Sequence, residues 1–520
     1  MTRQNIVILG GGSAGWMTAA SLARFLSPQS YHITLIESEV IGTVGVGEAT
    51  LPHLRSFNKL LGIDENEFMR ETGATYKLAI QFPGWGNIQN SYFHPFGLSG
   101  HDINGIDFHH YWLRLAKQGK VEAFDQYSIA VQIASQKKFA YPSDDPADVR
   151  ADFGYAFHLD ATLYAGYLRR YSEQRGVLRI EGKVQQVKLH QHPSNVSQTG
   201  DIASLVMESG QVIEGDLFID CSGFRGVMIE QALHTGYEDW THWLPCDRAI
   251  AVPTERIDNP PSYTRAAAKV AGWQWRIPLQ HRTGNGIVYC SSYMDDQQAQ
   301  DILLSDIEEK PTAGLNKIRF TTGKRKLTWQ RNCVAIGLSA GFLEPLESTS
   351  LYLIQIAIQK LLEHFPSQQI GDVERDSYNR QMDIEYLRVR DFIILHYKVN
   401  QRQDSEFWAY CQHMAVPDSL AEQMALFKEG ARISEYRQGL FLPASWLAVY
   451  LGQGFRPDSY DSRVDCFDLD KLDTHFKHYQ QTLKNAVATM PTHTQSIAAS
   501  QQLAPGRYPA TPQSLYGINA

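Results

Sequence analysis

Along the chain, short unbroken apolar runs alternate with helical stretches near the start, and helical spacing takes over towards the end. Asn5-Ile6-Val7-Ile8-Leu9 is too short for a buried helix and suits a strand covered on both faces. It runs at once into Gly10-Gly11-Gly12-Ser13-Ala14-Gly15, after which Trp16–Ala23 reads as a helix. His32-Ile33-Thr34-Leu35-Ile36 is a second strand, and it ends at Glu37, 22 residues after Gly15. Two later runs, Asp216–Cys221 and Asn332–Gly337, are also buried-strand patterns, each ending in small residues.

Two segments alternate with period two. In Ala74–Phe82, Tyr76, Leu78, Ile80 and Phe82 share one face and leave Lys77 opposite, between Thr75 and Ala79. In Gly272-Trp273-Gln274-Trp275-Arg276-Ile277-Pro278, both indoles point to one face as a wide apolar wall, and Pro278 stops the strand. With ten tryptophans in 520 residues, two within three positions is improbable by composition, although a plain aromatic core strand would look the same. From about residue 352 apolar residues recur at three- and four-residue spacing, beginning with Ser350–Ile358, for which Ser348 or Thr349 is a plausible N-cap. The expected division is therefore a cofactor-binding part over residues 1–352, with inserted substrate-side segments, and a helical substrate-binding or capping part over 353–520. The last 30 or so residues, rich in Ala, Gln, Pro, Ser and Thr, read as a surface-hugging or mobile tail.

Bulk properties narrow the class. A net charge of −8 argues against a nucleic-acid partner, and no apolar run reaches membrane-spanning length. Six cysteines without CxxC spacing suit reduced thiols in the cytoplasm and no metal.

Strand, GxGxxG and helix together form a dinucleotide-binding start. Gly10 turns the chain, Gly12 lets backbone approach a pyrophosphate, Gly15 permits close helix–strand packing, and Ser13 and Ala14 open the helix toward the phosphates. Glu37 suits a ribose hydroxyl pair. FAD is favoured over NAD by the late strands, although Gly337-Leu338 stands where many flavoproteins place Gly-Asp. No second GxGxxG marks an NAD(P)H site, which implies that reducing equivalents arrive from elsewhere.

These residues resemble the flavin-dependent tryptophan halogenase family. The resemblance rests on Gly10–Gly15, the run Trp273-Gln274-Trp275-Arg276-Ile277-Pro278, Phe342–Thr349, Val46-Gly47-Glu48-Ala49-Thr50-Leu51-Pro52 and Ala74–Leu78, and it spans roughly residues 5 to 455. The variant Gly337–Glu344 is similar to a subgroup acting on free indoles, often with bromide preferred. The resemblance implies an α/β fold: an FAD-binding Rossmann-like domain of the flavoprotein monooxygenase type with a mostly helical C-terminal part. It implies an oxidoreductase that uses reduced FAD, oxygen and a halide, bromide or chloride, to make hypohalous acid, which then halogenates an electron-rich ring such as an indole. A separate NAD(P)H flavin reductase would be the protein partner, and a homodimer stays open.

On this resemblance Lys77 is the catalytic lysine and Glu347 the carboxylate that steadies the cationic ring and takes its proton. Gly47, Glu48, Ala49, Thr50, Gly337 and Leu338 would touch the cofactor, and Thr349 and Ser350 would offer backbone N–H groups to the halide. Trp273 and Trp275 would wall the flavin side. His94 and Phe96 would line the substrate pocket, with Trp446, Tyr450 and Phe455 as further aromatic candidates that could equally be helix core. The tyrosine pair that clamps the amino-acid end of tryptophan is not evident, which favours indole or a larger indole-bearing molecule. Two alternatives remain: an aromatic hydroxylase of the same fold, and a non-catalytic flavin- or indole-binding protein.

Overall fold

A computed structural model describes residues 3–40, 47–191, 199–366, 371–434 and 439–502. Val46 of the Val46–Pro52 motif, and residues 503–520 of the expected tail, lie outside the described residues.

The early apolar runs assemble as their patterns predict. Gln4–Leu9 sits inside a six-stranded sheet in the order Trp329–Gln330, Cys333–Ala335, Leu217–Asp220, Gln4–Leu9, Tyr31–Glu37, Leu178–Glu181. All neighbours are parallel except the edge pair of Trp329–Gln330 with Cys333–Ala335. Helix Ser13–Phe25 packs on this sheet and against helices Ala161–Glu173 and Ser350–Glu363.

A second sheet has seven strands in the order Asn316–Arg319, Arg248–Thr254, Thr283–Tyr289, Gly272–Pro278, Tyr263–Lys269, Ala79–Pro83, Ser91–Pro95. The tryptophan strand is its central member and ends at Pro278, as the sequence predicts. Small residues across the ladder make room for the indoles: Trp273 lies opposite Ala268, and Trp275 opposite Ala266 and Gly286. A Cβ on Gly286 would stand 2.0 Å from the Trp275 ring.

A small sheet joins the two. Gly47–Ala49 and Thr75–Lys77 flank Ala156–Asp160, so the predicted cofactor strap and the predicted catalytic lysine share one antiparallel strand. From residue 350 onward every described element is a helix, the longest being Asp372–Lys398.

Of the two expectations for the tail, surface-hugging or mobile, its described part is surface-hugging. Residues 493–502 form a helix that buries His493, Ile497 and Ser500. His493 Nε2 accepts the Tyr76 N–H at 3.0 Å while Nδ1 donates to the Pro260 carbonyl, so a polar side chain anchors this segment. A composition argument cannot see one buried histidine fixing a helix.

Candidate active site

The glycine loop passes the steric tests that a dinucleotide site imposes. Gly10 has φ +121°, and a Cβ there would meet the Cys221 carbonyl oxygen at 2.2 Å. A Cβ on Gly15 would stand 1.8 Å from the Gly10 carbonyl oxygen. Gly12 is the N-cap of helix Ser13–Phe25 and has no side chain to cover its amides. Gly337, at φ +79°, brings the loop Gly337–Ser339, with Leu338, against the start of this helix, where a Cβ would touch Ala14 at 2.8 Å. Glu37 ends its strand over Gly11, whose missing Cβ leaves space for the carboxylate. That carboxylate already meets Arg179, Arg169 and the Trp16 indole N–H, so a ribose would share it. The residues present fit FAD.

Lys77 is fully buried and donates to the Thr50 carbonyl at 3.0 Å and the Ser348 hydroxyl at 2.7 Å. Its ammonium lies 4.9 Å over the Phe96 ring. Burial lowers the amine from 10.5 to about 7, and the nearby Glu347 offsets only part of that. Thr50 is itself locked to Phe157 by both backbone and hydroxyl bonds. Beside it, burial pushes Glu48 up to about 7.

Glu347 ends the short turn Pro345–Glu347 and is also fully buried. Burial pushes its carboxyl up, but His94 and His396 more than reverse this, and it settles at about 2. His94 Nδ1 stands 2.8 Å from Oε2; His396 Nε2 comes within 2.7 Å of Oε1, off the line a hydrogen bond prefers. Ser348 follows with φ +61°, a left-handed conformation rare outside glycine. This kink presents the carboxylate and the hydroxyl that meets Lys77 from adjacent residues. Thr349 occupies the N-cap position of helix Ser350–Glu363, yet its hydroxyl makes no cap bond, because its backbone is already helical. The Ser348 hydroxyl is likewise used on Lys77.

A cavity of about 20 Å³ lies against this site, lined by Leu51, Pro52, His53, His94, Phe96, Phe441 and Ser445 among others. Of the predicted pocket residues, His94 and Phe96 line it. Trp446, Tyr450 and Phe455 do not. Trp446 donates to the Phe441 carbonyl and packs edge-on against Phe392. Tyr450 stacks on Phe427 at 4.1 Å, with Phe455 behind it. Trp446 and Tyr450 are the helix-core option left open by the sequence, and Phe455 packs on Tyr450 from just beyond the end of helix Pro443–Gly452. The aromatic wall comes from Phe441, at φ +68° and stacked on Phe392 at 3.8 Å. A larger cavity of about 230 Å³ at the far end of helix Pro443–Gly452 contains none of the predicted site residues.

Trp273 and Trp275 lie 6.1 Å apart, tilted by 57°, and both are buried. Ile277, two residues on, faces Gly47, so the wall looks toward the strap.

Sequence reasoning missed His396 and Phe441. His396 sits in a long, charge-rich helix 49 residues beyond Glu347, and no local pattern marks it. Phe441 looked like any loop aromatic.

A glycine-loop parallel sheet, an aromatic-walled second sheet and a buried lysine–carboxylate pair define an α/β FAD-binding protein with a Rossmann-like domain. A family model described as tryptophan halogenase matches residues 5–469, and the chain belongs to that family. It is 35% identical to the tryptophan 6-halogenase SttH of Streptomyces toxytricini, over 96% of this chain and 98% of that protein. It is 32% identical to the tryptophan 7-halogenase RebH of Lentzea aerocolonigenes, over 94% and 97%. Among solved structures, the flavin-dependent halogenase BrvH of Brevundimonas sp. BAL3 superposes with a TM-score of 0.91 at 43% identity, covering 96% of this chain and 99% of that one. No helix among the described residues is long and apolar enough to cross a membrane.

Proposed function

We propose that this protein halogenates an indole-bearing aromatic substrate, with Lys77 handling the hypohalous acid and Glu347 the arene. The observation that carries the reading is the Lys77–Ser348 bond. It brings a strand lysine to the residue next to Glu347 across 271 positions of sequence. Reduced FAD, when bound, would supply the two electrons that activate oxygen as a two-electron oxidant of halide. The chain's residues do the rest. With its amine near neutrality, Lys77 can donate to the oxygen of hypohalous acid or take the halogen on its lone pair. Glu347, held anionic by two imidazoles, faces the cationic ring and accepts the displaced proton; so acidic a carboxyl passes that proton on readily. The tryptophan pair keeps the organic substrate from the flavin side. Thr349 and Ser350, opening helix Ser350–Glu363 two and three residues after Glu347, are the candidates for halide contact.

On this reading residues 1–352 bind FAD and carry inserted substrate-side segments, and 353–520 form the substrate-binding or capping part. Among the described residues the cavity offers His94, Phe96, Phe441 and apolar neighbours, and no carboxylate to pair with an amino group, which supports free indole or a larger indole-bearing molecule. At about 20 Å³ its walls must part to admit a bicyclic ring. A separate flavin reductase is the proposed partner. The halogenase relatives do not favour a hydroxylase or a non-catalytic binding protein. Enzyme supplied with a reductase, NADH, FAD, oxygen and indole, with bromide and chloride in competition, should yield a haloindole, and the ratio of bromo to chloro product reads the halide preference. Hydroxyindole, or no halogenated product, would overturn the reading.

A further inference from the structure

One buried acid has no part in the scheme above. Glu344 is fully enclosed and immediately precedes the turn that carries Glu347. Its Oε2 takes two donors, the Trp273 indole N–H at 2.6 Å and the Tyr397 hydroxyl at 2.6 Å. Its Oε1 has no hydrogen-bond partner among the described residues. Tyr397 follows His396, so one turn of helix Asp372–Lys398 grips both carboxylates of the Glu344–Glu347 segment.

Beyond Tyr397 lie thiols. Cys246 Sγ is 3.7 Å from the Tyr397 hydroxyl. Cys246, Cys290 and Cys411 are all free and buried, and the Cys290 N–H bonds the Ala271 carbonyl just before the tryptophan strand. Burial raises all three, and the Glu344 charge adds to the rise at Cys246 and Cys411, which keeps them protonated. Even so, hypohalous acid is a two-electron oxidant of sulfur. A thiol and HOX give sulfenic acid, a proton and halide: the S–H and O–X bonds break, an S–O bond forms, sulfur loses two electrons and the halogen gains them.

We infer that Glu344 is a positioning residue: it pins the Trp273 indole as a barrier that keeps oxidant made on the flavin side away from Cys246, Cys290 and Cys411. The inference rests on the halogenase reading. An indole N–H has one donor and needs an acceptor when buried; with Glu344 gone it has none, and the ring is released to turn. Glutamine keeps an acceptor oxygen for both donors, whereas leucine keeps only the bulk.

The test uses the full chain as wild type, E344Q, E344L and W273F, each turning over with reductase, NADH, FAD, oxygen, indole and bromide. Peptide mass spectrometry then scores sulfenic and sulfinic acid at the three cysteines. Wild type and E344Q should keep their thiols. E344L should lose the Cys246 thiol with turnover, and only when bromide is present, which separates oxidant leakage from a loosened fold. W273F, which keeps the ring but not the N–H, should show the same loss and stands in if E344L does not fold. The inference is overturned if the thiols of both variants survive turnover, if they oxidise equally without bromide, or if E344Q behaves as E344L. Should wild type make neither haloindole nor hypobromous acid, the halogenase reading is what fails. Reagent hypobromous acid added to the resting proteins then tests the barrier alone, with the E344L thiols expected to be lost before those of wild type.

Discussion

On the lysine side of the site a buried amine hydrogen-bonds, among the described residues, to neutral oxygens, the Thr50 carbonyl and the Ser348 hydroxyl; on the glutamate side an equally buried carboxylate meets two imidazoles. Burial disfavours charge in both places. With nothing anionic bonded to it, the amine yields and falls to about 7. The carboxylate is compensated, and ends below its usual range at about 2. One buried region thus holds an amine that titrates near neutrality beside a firmly anionic carboxylate. That pairing suits handling an electrophile at one end and a cationic ring at the other.

The largest expected effect breaks the lysine side. Lys77→Ala should lower haloindole formation by about 10³-fold or more while leaving FAD binding intact. Turnover like that of wild type would remove Lys77 from the chemistry. On the other side, Glu347→Gln keeps shape and loses charge, and should cost about 10²-fold in turnover with little change in FAD affinity. A loss confined to KM would instead make Glu347 a substrate contact.

The buried amine also predicts a pH dependence of stability. Below about pH 7 Lys77 is charged both folded and unfolded, so its full burial cost is present. Between about 7 and 10.5 the folded protein has released a proton that the unfolded chain still binds, so stability rises with pH. Lys77→Met removes the cost, on the order of a few kcal/mol. Its melting temperature should exceed that of wild type at pH 7, by a margin that narrows toward pH 10. A constant margin would mean the amine is solvated. The smallest effect tests the substrate wall. Phe441→Ala should raise KM for indole, whereas Tyr450→Phe, which keeps the ring in the Phe427 stack away from the cavity, should leave KM little changed. The reverse order would return Tyr450 to the pocket.

The clarity of the sequence differed between these regions for physical reasons. The glycine loop and its flanking strands are contiguous, and each glycine answers a local clash, so the flavin side could be read from residues 5 to 37. Lys77 and Glu347 were singled out because the local motif around each resembles a known family; their spacing alone did not mark them. His396, Phe441 and the choice among Trp446, Tyr450 and Phe455 were not. All lie on helices or in a loop whose apolar pattern satisfies core and pocket alike, and which ring faces the cavity depends on the crossing of helix Pro443–Gly452 over its neighbours.

By itself the sequence determined the cofactor half and a tryptophan strand with its indoles on one face, because each follows from backbone periodicity or a steric need within a few residues; Lys77 and Glu347 were singled out by the family resemblance of their motifs. Only the tertiary structure decided the state of that pair and the shape of its pocket. A pKa depends on what chain folding brings within a few ångströms: Thr50 and Ser348 beside Lys77, and His94 and His396 beside Glu347, the last across 49 residues of helix and turn. The same folding turned the tryptophan wall from an aromatic strand into one anchored by Glu344, an acid that no spacing in the sequence connects to Trp273.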